Sequence, residues 1–252
     1  MAVYEFHFHS GELKMNTDAV VIGPDAPMRQ QSLADWKVLY LLHGLSDDCG
    51  AWLRHTRIED YALKHHIMVI MPSGGRSMYC DHVNGQNYLG YLANELPAYL
   101  RGVLNHPLKP EQSYIAGNSM GGLGAAKIAL TYPERYRGFA SFSGLLAFGP
   151  FMQGKEISRG MMQEFAFMQD IIDHPTTTSL DPINLLNERQ IHPDFYLACG
   201  LEDDLLGCTE AFYHKARQLG MKGECVLEAG KHDWDFWERT IARYTEVIHE
   251  GK

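Results

Sequence analysis

Several common signatures are missing from this chain, and each absence narrows its chemistry. No apolar run approaches the roughly 20 residues that a bilayer-spanning helix requires, so no membrane partner is expected. No Lys/Arg cluster stands out, and the formal net charge is −9. Phosphate backbones are bound by basic surfaces, so nucleic acid is not expected as a partner either. The cysteines, Cys49, Cys80, Cys199, Cys208 and Cys225, are odd in number and contain no C-x-x-C pair. That argues against a zinc knuckle or a dithiol redox motif and fits free thiols in a reducing cytoplasm. The start, Met-Ala-Val-Tyr-Glu-Phe-His, lacks the basic and then apolar sections of a secretory leader, which also predicts a cytoplasmic protein. Gly74-Gly75-Arg76 is glycine-rich, but no G-x-x-x-x-G-K-[ST] phosphate loop is present. His7 and His9 would share one strand face without a third ligand, so neither a metal nor a cofactor is expected.

What is present reads as one α/β domain over 1–252, long enough to bury a core without disulfides. Val3 to Ser10 alternates apolar and polar residues, and Leu13 to Ile22 follows as a second strand; the two are expected to pair antiparallel at a sheet edge. The pattern then changes to short continuous apolar runs at Val38–Leu42, Ile67–Met71, Tyr114–Ala116, Phe139–Phe142, Phe195–Cys199 and Cys225–Leu227. Such runs indicate parallel strands buried on both faces. Helical spacing marks Leu89–Leu104, Met120–Tyr132, Thr209–Leu219 and Asp233–His249. Alternating strands and helices predict a doubly wound, mostly parallel sheet with helices on both faces, and ligands there sit beyond the carboxyl ends of the strands. Leu145 to Asn187 breaks the alternation, is rich in Met and Phe, and is expected to form a small cap.

The chemistry follows the strands. Gly117-Asn118-Ser119-Met120-Gly121 stands between a predicted strand and a predicted helix, the context a G-x-S-x-G nucleophile elbow needs. A serine hydroxyl needs a base, and the base needs a carboxylate to orient it. Of the histidines after Ser119, His232 alone lies in a loop directly after a predicted strand, in Gly230-Lys231-His232-Asp233. The acid belongs after the preceding strand, where Glu202, Asp203 and Asp204 stand together, and spacing does not choose among them. Two backbone N–H groups would form the oxyanion hole, from Met120 after the serine and from Leu45 in the His43-Gly44-Leu45 turn. His43 precedes the nucleophile and is expected to brace that turn. Trp234 and Trp237 are expected to serve the core.

These segments resemble the tributyrin-esterase branch of the esterase D-like α/β-hydrolases. The likeness is carried by Leu39–Ser46, Trp52–Arg54, Tyr114–Gly122, Ala140–Gly144, Cys199–Asp203 and Gly230–Trp237, and it spans nearly the whole chain. It implies a serine esterase for short acyl esters such as acetyl and butyryl esters, working through an acyl-enzyme. Some relatives deacetylate sugars or cleave feruloyl esters. The resemblance assigns the acid to Asp203; the next position, commonly aromatic in the family, is Asp204 here. The related S-formylglutathione hydrolases carry a threonine and a cysteine after the H-G-L-like turn, where this chain has Ser46-Asp47-Asp48. That thioesterase is the second reading. A non-catalytic binding protein on the same fold is the third, and a homo-oligomer is left open.

Overall fold

The computed structural model describes residues 1–25, 36–104, 106–148, 181–188 and 192–251. Eight strands form one sheet: β1 (Ala2–Ser10), β2 (Met15–Gly23), β3 (Lys37–Leu42), β4 (Ile67–Pro72), β5 (Ser113–Asn118), β6 (Gly138–Phe142), β7 (Asp194–Gly200) and β8 (Gly223–Glu228). Their order is β1-β2-β4-β3-β5-β6-β7-β8. The expected edge hairpin is there, with Ala2 opposite Gly23 and Ser10 opposite Met15. β2 pairs antiparallel with β4, and every pairing from β4 to β8 is parallel. The order turns back once, at β3–β4, and the parallel strands carry helices on both faces. This is the α/β-hydrolase fold.

The strand sequences explain the two layers. Alternate side chains point to opposite faces, so Val38, Tyr40 and Leu42 enter one core while Leu39 and Leu41 enter the other. The first core is closed by α3 (Tyr88–Gly90), α4 (Leu96–Leu104), α5 (Met120–Thr131) and α6 (Leu206–Gln218). The second is closed by α1 (Ala51–His55), α2 (Ile58–His65) and α7 (Trp234–Glu250). Each large apolar side chain sealed in either layer contributes about 1.5–3 kcal/mol. α5 is buried from Met120 to Leu130 and packs on β5 and β6. Its Lys127, 1% exposed, donates to the Cys80 thiol.

Three departures from the sequence reading have local causes. The second strand begins at Met15 because Lys14, at φ 56°, turns the chain after Gly11. The helix expected over Leu89–Leu104 contains a π-helical turn at Tyr91–Glu95 between α3 and α4. There the Glu95 carboxylate accepts the Ser10 hydroxyl and the Gly11 N–H, tying the edge hairpin to the helix. α1 and α2 were not anticipated. The cap expected over 145–187 falls largely on 149–180, outside the described residues. Its two ends are adjacent: Ile183 N–H donates to the Leu146 carbonyl at 3.0 Å, and Phe148 N–H to the Asp181 carboxylate at 3.2 Å.

Candidate active site

Every candidate residue lies just beyond the carboxyl end of a parallel strand. β5 delivers Ser119 at φ 52°, ψ −117°, a backbone conformation that costs about 1–3 kcal/mol and persists only where packing enforces it. The flanking glycines make the turn feasible. A Cβ on Gly117 would come within 2.5 Å of the Gly121 backbone, and one on Gly121 within 2.4 Å of the Leu42 carbonyl. The Ser119 N–H is held by the Phe142 carbonyl at 2.9 Å.

β7 and β8 deliver the other two members together. Leu201 N–H donates to the Glu228 carbonyl and Glu202 N–H to the Gly230 carbonyl, so the two loops are zipped side by side. Gly200 permits this approach, since a Cβ there would lie 2.2 Å from the Gly230 oxygen. His232 Nδ1 sits 3.0 and 3.2 Å from the two Asp203 carboxylate oxygens, and His232 Nε2 sits 3.0 Å from Ser119 Oγ. The Asp203 side chain is fully buried, whereas that of His232 is 37% exposed. Burial alone would raise the Asp203 pKa, but hydrogen bonds and charge from His232, the Leu205 N–H and the Ser143 hydroxyl bring it below its ordinary value. The carboxylate is therefore ionised at neutral pH, and the ring nitrogen facing it carries the hydrogen. This orients Nε2 as an acceptor for the serine hydroxyl. Next in the chain, Asp233 caps α7 by accepting the Phe236 N–H at 2.9 Å.

β3 delivers the His43-Gly44-Leu45 turn. His43 is fully buried, and its ring is engaged at both nitrogens: Nδ1–H donates to the Gly44 carbonyl at 2.7 Å, and Nε2 accepts the Gly74 N–H at 2.8 Å. Burial lowers its pKa, so it stays neutral. The expected brace is what the structure contains, reinforced by Tyr79 Oη donating to the His43 carbonyl and Trp52 Nε1 donating to the Leu42 carbonyl. Leu45 N–H has no protein acceptor among the described residues, and Met120, as the first residue of α5, has no intrahelical one. Leu45, Met120, Ser119 and His232 line one cavity of about 240 Å³, with Met78, Leu145, Asp204 and Leu205 completing it. A separate cavity of about 280 Å³ lies at the amino ends of β5–β8, lined by Tyr114, Asp194 and Gly223 among others. Its described lining contains no serine–histidine pair.

Two supporting residues escaped the sequence reading. Ser143, at φ 52° after β6, hydrogen-bonds the Asp203 side chain and lies 3.2 Å from Trp237 Nε1, which donates to it. Trp237 is buried, as expected, but also stands nearly perpendicular to the His232 ring at a 5.0 Å centroid distance. The one available signal was Ser143-Gly144 directly following a strand. His7 and His9 are exposed on β1 beside Asp18 and Asn16, and no metal-binding cluster occurs among the described residues. No described helix is long and apolar enough to cross a membrane.

The "Esterase" family model matches residues 10–245. The chain belongs to the Esterase family. It is similar to an acetyl esterase of Caldicellulosiruptor saccharolyticus, 29% identical over 98% of this chain and 97% of the relative. It is also similar to the substrate-bound structure of the fluorophosphonate-binding serine hydrolase F of Staphylococcus aureus. That match is 27% identical, covers 98% of each chain and has a TM-score of 0.83. An S-formylglutathione hydrolase from the same organism matches at 27% identity over 98% of each chain, with a TM-score of 0.81. This member of the Esterase family is a serine hydrolase that acts on esters.

Proposed function

We propose that this protein hydrolyses short acyl esters, of the acetyl and butyryl kind, through an acyl-enzyme on Ser119. The observation that carries this reading is the hydrogen-bonded line Ser119–His232–Asp203 opening into a compact, mostly apolar cavity of about 240 Å³. Ser119 Oγ attacks the ester carbonyl while His232 Nε2 takes its proton. Asp203 holds the ring and stabilises the imidazolium that forms. The Leu45 and Met120 N–H groups receive the oxyanion, whose charge develops at the amino end of α5. His232 then returns the proton to the departing alcohol, and water repeats the cycle on the acyl-enzyme. Leu45, Met78, Leu145 and Leu205 supply apolar contact for a small group; the modest cavity favours short chains. The similar acetyl esterase supports the same substrate class.

A panel of p-nitrophenyl esters of increasing chain length tests the reading. The expected result is highest kcat/KM for acetate to butyrate. Preference for palmitate overturns it, as does a mass spectrum without an acyl adduct on Ser119 under rapid quench.

A further inference from the structure

Asp204 plays no part in the hydrogen-bonded line, yet it lines the same cavity as Ser119 and His232. Its neighbours account for the other charges of the loop. The Asp203 carboxylate is buried against His232, and Glu202 lies 3.8 Å from Lys231. Asp204 is exposed and has no ion pair among the described residues. Among the described residues, no Lys or Arg lines the cavity. Asp204 is the one carboxylate among the described lining residues, amid apolar side chains. Its place in the β7 loop bears on which part of an ester would meet it. The departing alcohol takes its proton from His232, so that part of the ester sits on the side where the β7 loop supports His232. Asp204 directly follows Asp203 in that loop.

We propose that Asp204 selects substrates by the charge of their alcohol portion, admitting uncharged and cationic alcohols and rejecting anionic ones. The inference rests on the function proposed above and names its substrate class. A cavity of this volume is about 8 Å across, less than or comparable to a Debye length, so salt screens the interaction only in part. At such a separation in a half-wet site, one like-charge contact lowers occupancy roughly 4- to 8-fold, and an opposite charge raises it by a similar factor. The selection also bears on thioesters of glutathione, which carries two carboxylates and one ammonium. A leaving thiol of net negative charge is disfavoured at this site.

Three acetates test the proposal: those of 4-hydroxybenzoate, its uncharged methyl ester, and 4-(trimethylammonio)phenol. They share one acyl group and differ in the charge of the alcohol. Comparing each substrate between variants cancels its intrinsic reactivity. Asp204→Asn is expected to lower the cationic-to-anionic ratio of kcat/KM roughly 16- to 64-fold at low ionic strength. Asp204→Lys is expected to invert the preference, and high salt to compress it in the wild type. Glu59→Gln removes an equal charge from the exposed face of α2 and is expected to leave the ratio unchanged. A ratio indifferent to both Asp204 variants overturns the proposal. So does an equal shift in Glu59→Gln, which would assign the effect to the net charge of −9. Failure of the underlying esterase reading looks different: Ser119→Ala would then hydrolyse all three acetates as fast as the wild type.

Discussion

His43 and His232 both follow a parallel strand at the carboxyl end of the sheet, yet their surroundings suit them to opposite tasks. His43 is sealed, with both ring nitrogens bonded to backbone groups of its own turn and of the loop after β4. Burial depresses its pKa. It has no free acceptor for a substrate proton, and moving it would release the turn that carries Leu45. His232 is 37% exposed and lies between a buried carboxylate and the Ser119 hydroxyl. Its one acceptor nitrogen meets the Ser119 hydroxyl at the cavity. A histidine after a strand is thus not diagnostic in itself; what its second nitrogen faces decides between brace and base.

Removing each ring should separate the two tasks. His232→Ala is expected to lower kcat on a short ester by at least about 10⁴-fold, as loss of the base does in triads, with a melting temperature close to wild type because the ring is partly solvated. His43→Ala leaves the buried Gly74 N–H without an acceptor. It should cost about 1–3 kcal/mol of stability, read by thermal unfolding, and reduce kcat far less than the His232 change. Comparable activity losses from both would erase the distinction. Asp203→Asn comes next, with kcat expected to fall about 10³- to 10⁴-fold because the amide supports the wrong tautomer. Asp204→Asn, assayed on the uncharged acetate at matched thermal stability, should cost much less. The reverse order would move the acid by one residue. At the oxyanion turn, Leu45→Pro deletes the donor and should lower kcat on the order of 100-fold or more, whereas Leu45→Ala keeps the N–H and should be mild.

The pH behaviour sharpens the same contrast. Folded His43 has a depressed pKa, so the unfolded chain binds the proton first. Its contribution to stability is present above its ordinary value of 6.5 and is lost as pH falls through and below it. Asp203 is also depressed: its contribution is present above 3.8 and is lost only as pH falls below that. Asp203 therefore stays ionised in mild acid and keeps its hold on the His232 ring there. Stability, followed by denaturant unfolding, should decline below pH 6.5 in the wild type and more weakly in His43→Ala. An equal decline in His43→Ala would contradict the buried, neutral state of His43.

Most parallel strands were legible because they are continuous apolar runs ended by glycine or a turn residue; β8 is the exception, a sheet-edge strand whose residues are half-buried or exposed instead of buried on both faces. The motif residues were legible because chemistry in this architecture follows strand ends. α1 and α2 were not. They have five and eight residues, no side-chain cap, and few buried positions in α1 beyond Ala51 and Trp52. Their stability comes from packing against the second core, which no local pattern reveals. The carboxylate that meets His232 was legible as one of three, but the choice of Asp203 depended on family likeness. Physically it is set by loop direction, which buries one side chain and leaves the next in the cavity. Met78, Leu145 and Leu205 reach the cavity from three separate loops, so their convergence had no sequence signature.

On the proposed function, Ser119 is a nucleophile activated by His232. Covalent labelling by a fluorophosphonate probe, located by peptide mass spectrometry, measures this directly. One adduct is expected, on Ser119, formed rapidly by the wild type, slowed by orders of magnitude in His232→Ala, and absent in Ser119→Ala. Undiminished labelling of Ser119→Ala, or an adduct on another residue in the wild type, would contradict it.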